Sequence, residues 1–191
     1  MVNSENQWCA QKLTCLLSLS QKMKKLILVR HAKSSWDDLS RGDHQRPLNK
    51  RGNRDAPKMA ALLKERVGLP DAWLSSSAVR ALQTAKFFLN EFSVSEEKMR
   101  VRDSIYHASV NTLLENIHKI DEEANSAIFF GHNPGITYLV DELTNLGPDN
   151  IPTCGISILE SYAEYWSNFE DEDIRFADYM YPKKDLKHIY G

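Results

Sequence analysis

The sequence predicts a single α/β domain with a mostly parallel sheet flanked by helices, on three observations. Leu26-Ile27-Leu28-Val29 is an unbroken apolar run that stops at Arg30-His31, as a strand buried on both faces would. Ala127-Ile128-Phe129-Phe130 repeats that design and stops at Gly131-His132. Between such runs stand segments with apolar residues at helical spacing, the alternation that βαβ units require.

The totals agree. A chain of 191 residues, 42% hydrophobic and 26% charged, can bury one proper core. A net charge of -2 speaks against a nucleic-acid partner, which needs a basic face. No apolar run approaches the ~20 residues of a membrane span, so no membrane partner is expected. Cys9, Cys15 and Cys154 have no metal-ligand spacing and cannot all pair, which suits a reducing, cytoplasmic setting. Cys154 reads as a small core residue.

Taken in order, residues 1–22 read as an N-terminal extension, either poorly ordered or upstream of the natural start, with a small interaction helix as the alternative, and residues 23–191 as the domain. The patch from Leu13 to Leu19 lacks the length and the cleavage site of a secretory signal. After the first strand, residues 36–48 have no period and many turn formers, so they form a loop. A helix follows with Ala56, Met59, Ala60, Leu63 and Val67 on one face. Pro57 is expected in its first turn, which starts it between Asn49 and Ala56, and Gly68 and Pro70 close it. Residues 71–76 form a second strand. Ser76 or Ser77 is expected to cap the next helix, with Ala78, Leu82, Ala85, Leu89 and Phe92 inward. Arg80 then falls in a first turn, where the helix dipole disfavours a cation unless an anion binds there.

Met99 to Arg102 is expected as an edge strand. Ser109 caps a helix whose apolar face is Val110, Leu113, Leu114, Ile117 and Ile120. The helix after His132 turns Ile136, Leu139, Val140 and Leu143 inward. Cys154–Ser161 and Ile174–Tyr179 read as further strands, the second an antiparallel edge, and 180–191 as a tail. Right-handed crossovers bring the strand ends to one edge, the place where open α/β sheets bind ligands. Arg30, His31, Arg80 and His132 therefore converge.

Four segments in this order resemble the histidine phosphatase superfamily, and within it the SixA-type phosphohistidine phosphatases. They are Val29-Arg30-His31-Ala32-Lys33-Ser34; Arg46-Pro47-Leu48 with Arg51-Gly52; Ser76-Ser77-Ala78-Val79-Arg80-Ala81-Leu82-Gln83-Thr84-Ala85; and Gly131-His132-Asn133-Pro134-Gly135. The resemblance implies a phosphoglycerate mutase-like fold and a metal-independent phosphatase with no cofactor. His31 would be the nucleophile, forming a covalent phosphohistidine. Arg30 and Arg80 would clamp the phosphoryl oxygens, and His132 would take part in catalysis and donate a further hydrogen bond, best when protonated. The partner implied is a phosphorylated protein or a small phosphorylated substrate.

The physical logic stands beside the resemblance: phosphoryl transfer asks mainly for positioned positive charge. No segment matches the glutamate that many members use as general acid; Asp103, Tyr106 or His107 could replace it, or nothing does. A missing acid favours a good leaving group, such as the imidazole of phosphohistidine or another activated phosphoryl group. Only 51 residues separate Arg80 from His132, too few for a large cap. The alternatives are a small mutase-like enzyme and a catalytically inactive phosphate-binding module. His44 stands in the first loop, where Asp43 and Arg46 could orient it towards the site. His118 and His188 read as surface residues, and no spacing of histidines or carboxylates suggests a metal.

Overall fold

The computed structural model describes residues 23–38, 40 and 42–187, so the expected extension 1–22, with Cys9 and Cys15, and His188 lie outside the described residues. Six strands form one sheet in the order β3-β2-β4-β1-β5-β6. They are β1 (Lys24–Arg30), β2 (Ala72–Ser76), β3 (Met99–Arg102), β4 (Ser126–Gly131), β5 (Ile156–Ser161) and β6 (Ile174–Met180). The first four run parallel, while β5 lies antiparallel to β1 and β6 antiparallel to β5. Helices cover both faces: α1 (Lys50–Arg66), α2 (Val79–Phe92), α3 (Val110–Ile117), α4 (Gly135–Thr144) and the short α5 (Pro182–Asp185).

The apolar runs are apolar because both faces are covered. Ile27, Val29, Ile128 and Phe130 pack under α1 and α2 with Met59, Leu63, Phe88 and Leu89. Leu26, Leu28, Ala127 and Phe129 pack under α3 and α4 with Leu113, Ile136, Leu139 and Trp166. Register then places the site. Arg30 pairs with Gly131, so His31 and His132 leave neighbouring strands at one level, and β2 ends beside them at Ser76.

Several details depart from the expectations. Asn49 does cap α1, accepting from Gly52 N at 2.9 Å, but Pro57 lies well past the first turn. The helix survives one missing donor because Ala56, Met59, Ala60 and Leu63 are fully buried beside it. Neither Ser76 nor Ser77 caps α2: its N-cap is Ala78, without a side-chain bond. The inward face of α2 is rotated as well, with Phe88 fully buried and Leu82 half-buried. Cys154 is buried as expected but precedes β5. At φ 60 it turns its N–H onto the carbonyls of Arg30 and His31 at 3.0 and 3.1 Å, and so cannot extend as strand. The expected tail contains α5, held by buried Leu186.

Candidate active site

Two strand ends and one helix start build the site. His31 and His132 follow β1 and β4, Arg80 sits in the first turn of α2, and Arg30 ends β1. His31, Arg80 and His132 are at least nine-tenths buried. The two imidazole rings lie 5.1 Å apart, and Arg80 Nε donates to His31 Nε2 at 3.3 Å. All four expected residues are thus brought together at one edge.

The ring of His31 is oriented by its own backbone. Nδ1 lies 2.7 Å from the Ala32 carbonyl, which can only accept, so Nδ1 carries the hydrogen and Nε2 keeps its lone pair. Burial pushes its pKa from 6.5 down to about 3; the bond to Ala32 opposes this and the charges of Arg80, Arg30 and Arg46 add to it. His132 is held neutral too, at about 2, by burial first and then by His31, Arg80 and His107 beside it. A charge on His132 therefore calls for an anion beside it, because an imidazolium there would otherwise be both desolvated and repelled.

Arg30 donates from Nη1 to the Ile151 carbonyl at 2.5 Å, while its Nε is buried with no partner. His132 Nδ1 is likewise buried and unpartnered. Arg30 Nε, a donor, and His132 Nδ1 are therefore two buried polar atoms that an oxyanion could satisfy.

The α2 motif is now legible by position. Arg80 reaches into the pocket. Gln83 Oε1 accepts from Leu48 N at 2.8 Å, and Thr84 Oγ1 accepts from Ala32 N at 2.9 Å, tying the residue after His31 to the helix. Gly52 lets α1 approach the loop after β1, since a Cβ there would stand 2.3 Å from the Lys33 carbonyl oxygen. Gly135 does the same for α4, 2.4 Å from the Ala108 carbonyl oxygen.

Sequence reasoning missed Asp43 as a site residue. It opens a short 3₁₀ turn, Asp43–Gln45. Its carboxylate accepts from Arg80 Nη2 at 2.8 Å, Arg46 Nη1 at 2.7 Å and Tyr106 Oη at 2.7 Å, and lies 3.4 Å from His107 Nε2. Burial pushes its pKa up, but the hydrogen bonds from Tyr106 and Arg46 and the charge of Arg80 outweigh this and hold it well below the carboxylate range. Arg46 pins the loop, donating to Ser35 O at 2.9 Å and Ser34 Oγ at 2.7 Å. The advance signal for Asp43 was its place beside His44 and three residues before Arg46.

Of the three candidates for general acid, Tyr106 and His107 stand at the pocket, their rings 5.5 and 5.9 Å from that of His132. Asp103 is exposed and reaches this group only through its main-chain carbonyl, which accepts from Tyr106 N at 2.9 Å. His44 does reach the site wall, its Nε2 2.9 Å from Ser77 Oγ and its ring against Tyr106. His118 pairs with Glu170 far from this edge. Among the described residues no group of three or more His, Cys, Asp or Glu is placed to hold a metal ion.

Comparison with known proteins gives four findings. A profile of the histidine phosphatase superfamily (branch 1) matches residues 26–104. An uncharacterized chloroplastic protein of Arabidopsis thaliana is 32% identical over 151 residues, 75% of this chain and 69% of that one. Among solved structures, a protein assigned as the phosphohistidine phosphatase SixA of Agrobacterium tumefaciens superposes with a TM-score of 0.71 at 27% identity, over 83% of this chain and 98% of its own. The protein histidine phosphatase SixA complexed with tungstate reaches 0.71 at 22% identity, over 83% and 97%.

Proposed function

We propose a mechanism from one premise: this chain belongs to the histidine phosphatase superfamily, with the fold of its SixA-type members. That membership supports phosphoryl transfer of the phosphatase or mutase kind. Our reading is a phosphatase that works through a covalent phosphohistidine on His31, with phosphohistidine or another activated phosphoryl group as substrate.

The observation that carries the reading is the His31 Nδ1 bond to the Ala32 carbonyl at 2.7 Å, which leaves Nε2 as a lone pair beside Arg80. In the first step that lone pair forms the N–P bond while the bond from phosphorus to the leaving atom breaks. The leaving atom takes the electron pair and a proton, either from solvent or from a group at the mouth. In the second step water attacks the phosphohistidine, and His31 recovers its lone pair as inorganic phosphate leaves. Arg30 and Arg80 supply the fixed positive charge that both transition states need, and His132 supplies a further hydrogen bond. His31 is neutral at working pH because burial keeps it so.

The short stretch of chain between Arg80 and His132 favours hydrolysis over a mutase reaction. The segment between Arg80 and His132 holds only β3, α3 and 3₁₀ turns besides the flanking elements, and the His107 side chain at the mouth is 59% exposed. A phosphorylated protein side chain could enter, and water could follow. The retained nucleophile geometry favours an enzyme over a binding module. The cytoplasmic setting rests on cysteine usage, with Cys154 a buried free thiol.

The test is rapid-quench trapping with a labelled phosphoramidate or phosphohistidine peptide on the native chain and His31→Ala. An acid-labile, base-stable label in the native protein alone is the expected result. Phosphate binding by both proteins without label in either would sink the enzymatic reading for that substrate class.

A further inference from the structure

The hydroxyl of Ser76 lies 2.8 Å from His132 Nε2, and both residues are buried, Ser76 completely. Sequence reasoning assigns such a serine to a helix cap, yet α2 begins without one. Something else occupies this oxygen.

Counting donors and acceptors identifies the arrangement. Ser76 Oγ accepts from Ala78 N at 3.3 Å. It can then either donate its own hydrogen to His132 Nε2 or accept a hydrogen from it. In the second case the serine O–H would be buried with no acceptor, and His132 Nδ1 would present a bare lone pair. In the first, every polar atom of the pair is used except one N–H at Nδ1, the buried atom that has no partner in the ligand-free protein. A lone pair at Nδ1 would repel an oxyanion, whereas an N–H there would bind one.

We infer that Ser76 is a positioning residue for His132: its hydroxyl donates to Nε2 and so holds the neutral ring as the Nδ1–H tautomer, aimed to donate to a phosphoryl oxygen. The pocket thereby needs no imidazolium at this position. His31 receives the same treatment from the opposite side. A carbonyl acceptor fixes its Nδ1–H and leaves the lone pair on Nε2, while a hydroxyl donor leaves His132 with its hydrogen on Nδ1. Two histidines of one residue type are thus given opposite tasks, nucleophile and donor, by the polarity of one neighbour each. The catalytic consequence rests on the phosphatase reading above; the tautomer does not.

The experiment is heteronuclear NMR of the full chain labelled with ¹⁵N-histidine, with His132 assigned by the signals lost in His132→Gln. The native protein is expected to show a pyrrole-type Nδ1 and a pyridine-type Nε2 for His132 near neutral pH. Ser76→Ala removes one oxygen, and its ring is expected to shift towards the Nε2–H form. Its kcat on a phosphoramidate should fall on the order of tenfold, less than follows outright loss of a stabilising donor. Ser76→Thr, which keeps the hydroxyl, should retain the native tautomer. A pyridine-type Nδ1 in the native protein overturns the inference, and so does a tautomer that Ser76→Ala leaves unchanged. If the native protein turns over no phosphoryl substrate, the phosphatase reading fails while the ring signals still decide the role of Ser76.

Discussion

Asp43 grips Arg80 at two points: its main-chain carbonyl accepts from Nη1 at 2.6 Å and its carboxylate accepts from Nη2 at 2.8 Å. The guanidinium proposed to clamp the phosphoryl group is therefore already oriented by an anion of the protein's own. Both anions compete for the same positive charge. Replacing the carboxylate by an amide in Asp43→Asn keeps an acceptor for Arg80 and removes the repulsion. At an effective dielectric of about 20, a unit charge some 5 Å away is worth a few kcal/mol. Partial exposure and the loosened loop reduce that, so inorganic phosphate should bind about tenfold more tightly. Calorimetric titration checks this. Weaker binding would mean that holding Arg80 and Arg46 in place matters more than the charge.

Burial of two neutral histidines makes stability depend on acid. Folded His31 and His132 titrate near 3 and 2, below the ordinary 6.5. Above 6.5 neither state binds a proton there, and the full stability is present. As pH falls from 6.5 towards 3, the unfolded chain takes up protons that the folded chain refuses, and stability is lost. Denaturant unfolding between pH 7 and 4 should show this decline. His31→Ala should reduce its slope by roughly one proton's share. An unchanged slope would mean that other groups carry the acid sensitivity.

The strand ends were legible because a strand buried on both faces leaves a continuous apolar run, and the sites that end such runs stand out. Leu26–Val29 and Ala127–Phe130 are of this kind, and Arg30, His31 and His132 follow them directly. What was not legible depends on partners distant in sequence. Asp43 reads locally as a turn former, and only the fold sets it against Arg80, 37 residues on. Ser76 reads as a cap, and only β4 brings His132 to it from 56 residues away. The antiparallel setting of β5 beside β1 is equally invisible, since its Ile-Ser-Ile-Leu pattern carries no direction. Pro57 misled because a local rule about helix interiors was outweighed by the buried face around it.

Two glycines should behave against their ordinary trend. Glycine inside a helix normally costs up to about 1 kcal/mol relative to alanine. At Gly52 and Gly135 the added Cβ would stand 2.3 and 2.4 Å from backbone oxygens of Lys33 and Ala108, which cannot rotate away. Gly52→Ala and Gly135→Ala should therefore destabilise the protein by about 1–3 kcal/mol. Gly42→Ala, with nothing within 4 Å, should stay within about 0.5 kcal/mol of native. Urea midpoints at constant m value provide the comparison. Stabilisation by either of the first two would show that the loops yield freely. Gly52→Ala should also slow turnover, because Lys33 is two residues from His31.

His107 stands at the mouth of the pocket as a candidate proton donor. Its backbone is held at φ 51, a conformation that a non-glycine residue adopts at some cost. The ring meets Tyr106 at 4.2 Å and lies 5.9 Å from His132, with Nε2 3.4 Å from the Asp43 carboxylate. Tyr106, by contrast, is the poorer acid, since burial and its bond to Asp43 raise its pKa above the usual 10. A proton donor matters in proportion to the basicity of the leaving group. His107→Gln should leave turnover of an imidazole phosphoramidate within about threefold of native. Hydrolysis of an alkyl phosphate ester should fall on the order of a hundredfold. A series of substrates graded by leaving-group pKa measures this as a steeper dependence in the variant. Equal losses on every substrate would remove His107 from proton transfer and leave it a wall of the pocket.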